Sequence, residues 1–161
     1  MRGQPNSHSA APFVRPPWAT EVSVRQNCIG CGDCIAACPE QILRPGRAKA
    51  PIVDFTETGC TFCGACAEAC KEPVFDLGQP PWPLVAEISS ACLLTLGISC
   101  QSCADACDEE ALRFDLSVRP AGRVSVAASN CTACGHCVGI CPTDAIAMAP
   151  APTPAAEVAH A

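Results

Sequence analysis

Apolar residues in this chain gather in short β-prone runs that come two to a unit, and the unit recurs four times. The leading runs are Val22-Ser-Val24, Ile52-Val-Asp-Phe55, Leu84-Val-Ala-Glu-Ile88 and Val124-Ser-Val126. The trailing runs are Ile42-Leu43, Val74-Phe-Asp-Leu77, Leu112-Arg-Phe-Asp115 and Ile146-Ala-Met148. A cysteine-bearing loop and room for a helical turn or two separate each leading run from its trailing run. Turn residues punctuate the joints at Pro45-Gly46, Gly78-Gln-Pro80-Pro81 and Pro120-Ala-Gly122. The pattern predicts an α+β domain over 21–149, with repeats at about 21–48, 51–79, 84–116 and 122–149. Residues 1–20 form a polar arm, expected to be disordered over 1–12, and 150–161 a low-complexity tail expected to be disordered.

Composition changes this picture in one respect. Aromatic residues make up only 4% of the 161, there is no Tyr, and Gly, Ala, Pro and Cys are abundant. So little bulk cannot fill an ordinary core, and bound metal is one of the few substitutes in a small domain. Charge excludes more than it suggests. Ten basic against 16 acidic residues give a net −6, which disfavours nucleic acid or an anionic membrane surface as partner. No stretch approaches the ~20 apolar residues of a membrane span. The first residues have neither an apolar secretory core nor a twin-Arg pair, so a cytoplasmic location is expected. There thiols stay reduced, and clustered cysteines point to metal rather than disulfides.

All 16 cysteines fall in four runs, one per repeat. Cys28, Cys31, Cys34 and Cys38 have the spacing C-x2-C-x2-C-x3-C, followed by Pro39. Cys60, Cys63, Cys66 and Cys70 repeat it without an adjacent Pro, and Cys131, Cys134, Cys137 and Cys141 repeat it in full, with Pro142. This is the spacing of a [4Fe–4S] ligand run, in which three thiolates hold one cube and the fourth reaches a neighbouring cube. The x2 steps let thiolates of one tight loop converge, with Gly30, Gly32, Gly64, Ala65 and Gly135 as turn-tolerant spacers. Such loops aim N–H groups at sulfur, which tunes potential. The x3 step suits one turn of a helix that Pro39 and Pro142 then stop. Structural zinc, the rival metal, prefers two separated C-x2-C pairs per ion. Cys92, Cys100, Cys103 and Cys107 form a stretched version. Either Leu93 to Ser99 loop out and return the ligand, or Cys92 is a bystander and the site is incomplete. The expected cofactors are therefore [4Fe–4S] clusters, three in regular runs and a fourth in the stretched one. The four units would fold as two pseudo-symmetric ferredoxin-like pairs, with short strands and helices packed around the clusters.

Which runs pair is open. Neighbours could pair, run 1 with 2 and 3 with 4. The nested alternative, 1 with 4 and 2 with 3, is preferred because the two Cys-Pro runs would then share a pair. Other residues carry weaker signals. His136 either ligates iron or tunes a cluster, or is a surface imidazole near one, the last being favoured. Asp105, Asp108, Glu109 and Glu110 make either a solvated helical face, which is favoured, or an acidic docking patch. Trp82, between Pro81 and Pro83, is expected to cover the seam between halves. Arg15-Pro16-Pro17-Trp18 either folds back or docks a partner. With His only at 8, 136 and 160, and no phosphate loop or nucleophile–base pair, no enzyme is expected.

The Arg15-Pro-Pro-Trp18 segment, the four-run order and the stretched third run, Cys92 through Cys107, together resemble the NapF family. These are ferredoxin-type accessory proteins of the periplasmic nitrate reductase system. The likeness covers about Arg15 to Met148. It departs at Lys71-Glu72-Pro73, where a direct Cys-Pro is usual, though the thiolate spacing is kept. The resemblance implies a cytoplasmic protein acting on the catalytic nitrate reductase subunit before export, assisting its maturation or [4Fe–4S] assembly. Spacing alone reaches a multi-cluster module, and a plain electron carrier is the alternative. A purely structural scaffold is the least favoured.

Overall fold

The computed structural model describes residues 14–119 and 121–152; the expectations for residues 1–12 and most of the tail, and His8, Pro120 and His160, lie outside them. Its elements are all short. Along the chain come α1 (Glu21–Asn27), α2 (Asp33–Ala36), β1 (Leu43–Pro45), β2 (Pro51–Val53) and α3 (Ala65–Glu68). They are followed by β3 (Leu84–Ile88), α4 (Ser102–Asp105), β4 (Leu112–Asp115), β5 (Arg123–Val126), α5 (His136–Gly139) and β6 (Ile146–Pro150). Among the described residues the strands make three two-stranded antiparallel sheets: β1 with β2, β4 with β5, and β3 with β6.

These pairings follow from the repeats. The trailing strand of repeat 1 turns back on the leading strand of repeat 2, with Leu43 opposite Val53. Repeats 3 and 4 do the same, with Leu112 opposite Val126. The leading strand of repeat 3 and the trailing strand of repeat 4 then close over that half, with Ile88 opposite Ile146.

Two of the eight expected strands are absent. Val22-Ser-Val24 lies in α1. Thr20 and Ser23 form a reciprocal capping box, each side-chain oxygen accepting the other's N–H at 3.0 Å. That satisfies helix-end donors which a strand would have to pair elsewhere. Val24 alone is buried there, while Val22 is 62% exposed, so neither face of a strand is called for. With no strand at that place, Val74-Phe-Asp-Leu77 has no ladder to join, and a single bridge links Phe75 to Ala19.

The Arg15–Trp18 segment folds back. Pro16 and Pro17 are fully buried. Arg15 pairs with Glu21 at 2.6 Å, donates to the Pro51 carbonyl at 3.0 Å, and its own carbonyl accepts the Trp82 indole N–H at 2.8 Å. The Trp18 N–H reaches the Pro81 carbonyl at 2.9 Å. Two Pro residues enter this site already extended, so little chain entropy opposes the docking. Beside it, Trp82 meets Phe55 and Phe62 edge-on at 5.8 and 5.7 Å. Phe55 and Trp82 share the core with Ile42, Leu43, Leu112, Ile146 and Met148. Much of the rest of the core is cysteine: Cys34, Cys66, Cys103 and Cys137, the third of each run, are all buried.

Candidate metal centres

The helices that carry the third cysteines are four residues long, too short to stand alone. In runs 1, 2 and 4 a left-handed residue starts each one: Gly32, Gly64 and Gly135, with φ of 86°, 79° and 87°. That conformation swings the loop so that the third side chain points inward at no steric cost to glycine. Each helix ends before the fourth cysteine, ahead of Pro39 and Pro142 in runs 1 and 4.

The cysteines surround four cavities. One is lined by Cys28, Cys31, Cys34 and Cys70, and a second by Cys60, Cys63, Cys66 and Cys38. A third is lined by Cys131, Cys134, Cys137 and Cys107, and a fourth by Cys92, Cys100, Cys103 and Cys141. Each cavity therefore takes three cysteines from one run and the last cysteine of its neighbour. This corrects the nested pairing. Runs 1 and 2 share one pair of cavities, and runs 3 and 4 the other. The physical cause is the turn between β1 and β2, and between β4 and β5, which lays α2 on α3 and α4 on α5.

The stretched run completes its cavity. Residues 93–99 loop out and return, held by Leu96 N–H to the Cys92 carbonyl at 3.2 Å and Ile98 N–H to the Leu93 carbonyl at 2.8 Å. Leu94 plugs inward at 3% exposure. Cys92 faces the same cavity as Cys100 and Cys103. With open mouths included, the four cavities measure between about 340 and 370 Å³, so the fourth is built on the same scale as the rest.

The donor set fits a cube better than one ion. Among the described residues, no three His, Cys, Asp or Glu side chains converge tightly enough to hold a single metal ion. A tetrahedral zinc would draw its sulfurs to within about 3.8 Å of one another. Four thiols spread around one void instead suit a ligand with four separate corners. The lining is otherwise apolar, and backbone N–H groups point at sulfur: Phe62 to Cys60 at 3.4 Å, Ala111 to Cys107 and Ala145 to Cys141 at 3.3 Å. Burial pushes the Cys34 and Cys60 thiols up to about 11 and those of Cys66 and Cys137 to about 12; neighbouring cysteines add to the rise. Cys103 is raised for the same first cause. As free thiols these groups resist ionising, so any metal that binds must expel their protons.

Other candidates fall out differently. His136 is not a surface group but half-buried at the seam between the halves, against Gly59. Trp82, expected to cover that seam, packs on Phe55 and Phe62 and donates to the Arg15 carbonyl, all in the first half. Asp105, Asp108, Glu109 and Glu110 are all exposed, but only Asp105 belongs to the helix. Two features escaped the sequence reading. Phe62 takes φ 54° and Ala133 φ 60° where run 1 has Gly30 at φ 71°. The signal was alignment of the runs on one another, which places Phe62 at a glycine position. Gly59, just ahead of run 2, and Gly139, within the x3 step of run 4, let the halves touch; ligand spacing asks for glycine at neither position, so neither gave a signal.

A model of the 4Fe-4S dicluster domain matches residues 27–74, which hold runs 1 and 2, and again 98–145, which hold run 3 from Cys100 onward and run 4. The chain is similar to the ferredoxin-type protein NapF of Haemophilus influenzae, at 42% identity over 84% of this chain and 78% of the relative. It is also similar to the ferredoxin-type protein NapF of Escherichia coli K12, at 35% identity over 83% of this chain and 82% of that one. No helix among the described residues is long and apolar enough to cross a membrane.

Proposed function

Since the chain belongs to the NapF family of ferredoxin-type proteins and carries two 4Fe-4S dicluster domains, we propose that it serves the periplasmic nitrate reductase system as a cytoplasmic maturation partner. It would meet the catalytic subunit before export and assist assembly of that subunit's own [4Fe–4S] centre. The observation that carries the cofactor reading is the grouping of all 16 cysteines, four to a cavity, around four apolar voids. Each half would then be a pseudo-symmetric pair of cluster sites. When bound, a [4Fe–4S] cluster supplies reversible one-electron chemistry. The chain's part is to hold four thiolates per cavity, exclude water with apolar lining, and offer N–H groups to sulfur. Potential would be set by those hydrogen bonds and by burial. Among the described residues no acid–base constellation accompanies the cysteines, and in this reading the chain itself would carry out no catalysis.

The partner reading rests on family membership. The Arg15–Trp18 segment no longer supports it, because that segment is spent on the protein's own fold. A second reading, a general electron carrier, is favoured by the close succession of cavities within each half.

Anaerobically reconstituted protein should carry about 16 irons, whereas an incomplete third run would leave about 12. Offered both the precursor and the exported form of the catalytic subunit in a pull-down, the loaded protein should retain the precursor. Equal retention of both forms, or of neither, would favour the carrier.

A further inference from the structure

We propose that the contact between Cys60 and Cys134 joins the two halves into one electron path through all four cavities. The inference rests on the reading that the cavities hold [4Fe–4S] clusters, and goes beyond it by ordering them. Within a half, the crossed fourth cysteine already ties outer to inner: Cys34 lines one cavity and Cys38 the next, one helical turn apart. Between halves, the link is direct. The N–H of Cys60, in the inner cavity of the first half, donates to the carbonyl of Cys134, in the inner cavity of the second, at 2.7 Å. Two short covalent stretches, one in each cysteine, and the one hydrogen bond between them thus connect the two sulfurs.

The approach is built to be close. A methyl group at Gly59 would stand 2.5 Å from the His136 ring and 2.7 Å from the Cys134 carbonyl oxygen. One at Gly139 would stand 2.8 Å from the carbonyl oxygens of both Phe55 and Thr56. At Gly139 the obstacles are all backbone, and at Gly59 the Cys134 carbonyl stands behind the His136 ring, so a side chain at either position parts the halves. The order of sites is therefore outer, inner, inner, outer. At each step one electron leaves the donating cluster, which is oxidised, and enters the accepting cluster, which is reduced. No bond breaks and no proton moves. A one-electron reductant feeds the path and a one-electron acceptor drains it.

The test follows a single electron. Photoreduced deazaflavin supplies less than one electron per reconstituted chain, and freeze-quench EPR follows its redistribution at several protein concentrations. Signals of the two halves are assigned beforehand from Cys31→Ser and Cys131→Ser proteins. Exchange between halves in unmodified protein should keep the same rate on dilution, as an intramolecular step must. In Gly59→Val it should become proportional to protein concentration, with iron content unchanged. Exchange that slows on dilution in the unmodified protein, or stays concentration-independent in Gly59→Val, overturns the junction. If Gly59→Val fails to load iron, Gly139→Ala opens the seam from the other side, and the unmodified dilution series decides on its own. Unmodified protein that loads no iron overturns the cluster reading itself, an outcome distinct from a broken junction.

Discussion

The fourth cysteine of each run has an address that the other three do not share. Cys34 and Cys38 lie on one short helix and its exit, yet they face different cavities. Cys38→Ser and Cys63→Ser should therefore erase the same EPR signal, and Cys34→Ser and Cys70→Ser a different one. Each loss should remove about four irons at most. Loss of one common signal from all four variants would contradict the crossed arrangement. The buried thiols also impose a direction on pH. At Cys34, Cys60, Cys66 and Cys137 burial lifts the thiol to about 11–12, so between pH 6.5 and 8.5 all four are protonated in metal-free protein. Iron must displace those protons, and its hold tightens as pH rises, by up to about tenfold per unit for each proton released. Cluster loss to a chelator should accordingly be faster at pH 6.5 than at pH 8.5, as followed by visible absorbance. At this scale the gathering of each run's first three cysteines was legible, because their spacing sets which side chains one tight loop can turn toward one cavity. Phe62 was opaque: its positive φ is imposed by the loop, against what its side chain prefers.

Elements here are held by what they flank. Trp82 is 9% exposed, packs edge-on against Phe55 and Phe62, and donates to the Arg15 carbonyl. Trp82→Ala should lower stability by about 3–5 kcal/mol through the cavity it leaves. Trp82→Phe should keep most of the packing and lose about 1 kcal/mol with the hydrogen bond. Denaturant midpoints of iron-loaded proteins separate the two. Six of the eight β-prone runs became strands because each had a partner run across a turn or at the far end of its half. Val22-Ser-Val24 did not, and the deciding residues, Thr20 and Ser23, are a capping signal that two valines obscured. The stretched third run shows the opposite case. Its spacing left Cys92 doubtful, whereas the loop's own hydrogen bonds bring it back to Cys100.

Across the whole molecule, repeat number was legible and pairing was not. Four similar runs fit either arrangement on spacing, and Pro39 and Pro142 drew the reading toward the wrong one. Chain reversal between β1 and β2, and between β4 and β5, decided it, and such turns bind nearest neighbours at the lowest loop-closure cost. The halves nonetheless differ in how their ends are fastened. In the second, β3 and β6 pair over five positions beside the outer cavity; in the first, one bridge between Ala19 and Phe75 stands at the corresponding place. A five-rung latch and a one-rung latch do not breathe alike. Amide deuteration should be slow along Leu84–Ile88 and fast at Phe75. Dioxygen should find the Cys28–Cys31–Cys34–Cys70 site first, so that aerobic decay proceeds from the front of the molecule toward the back.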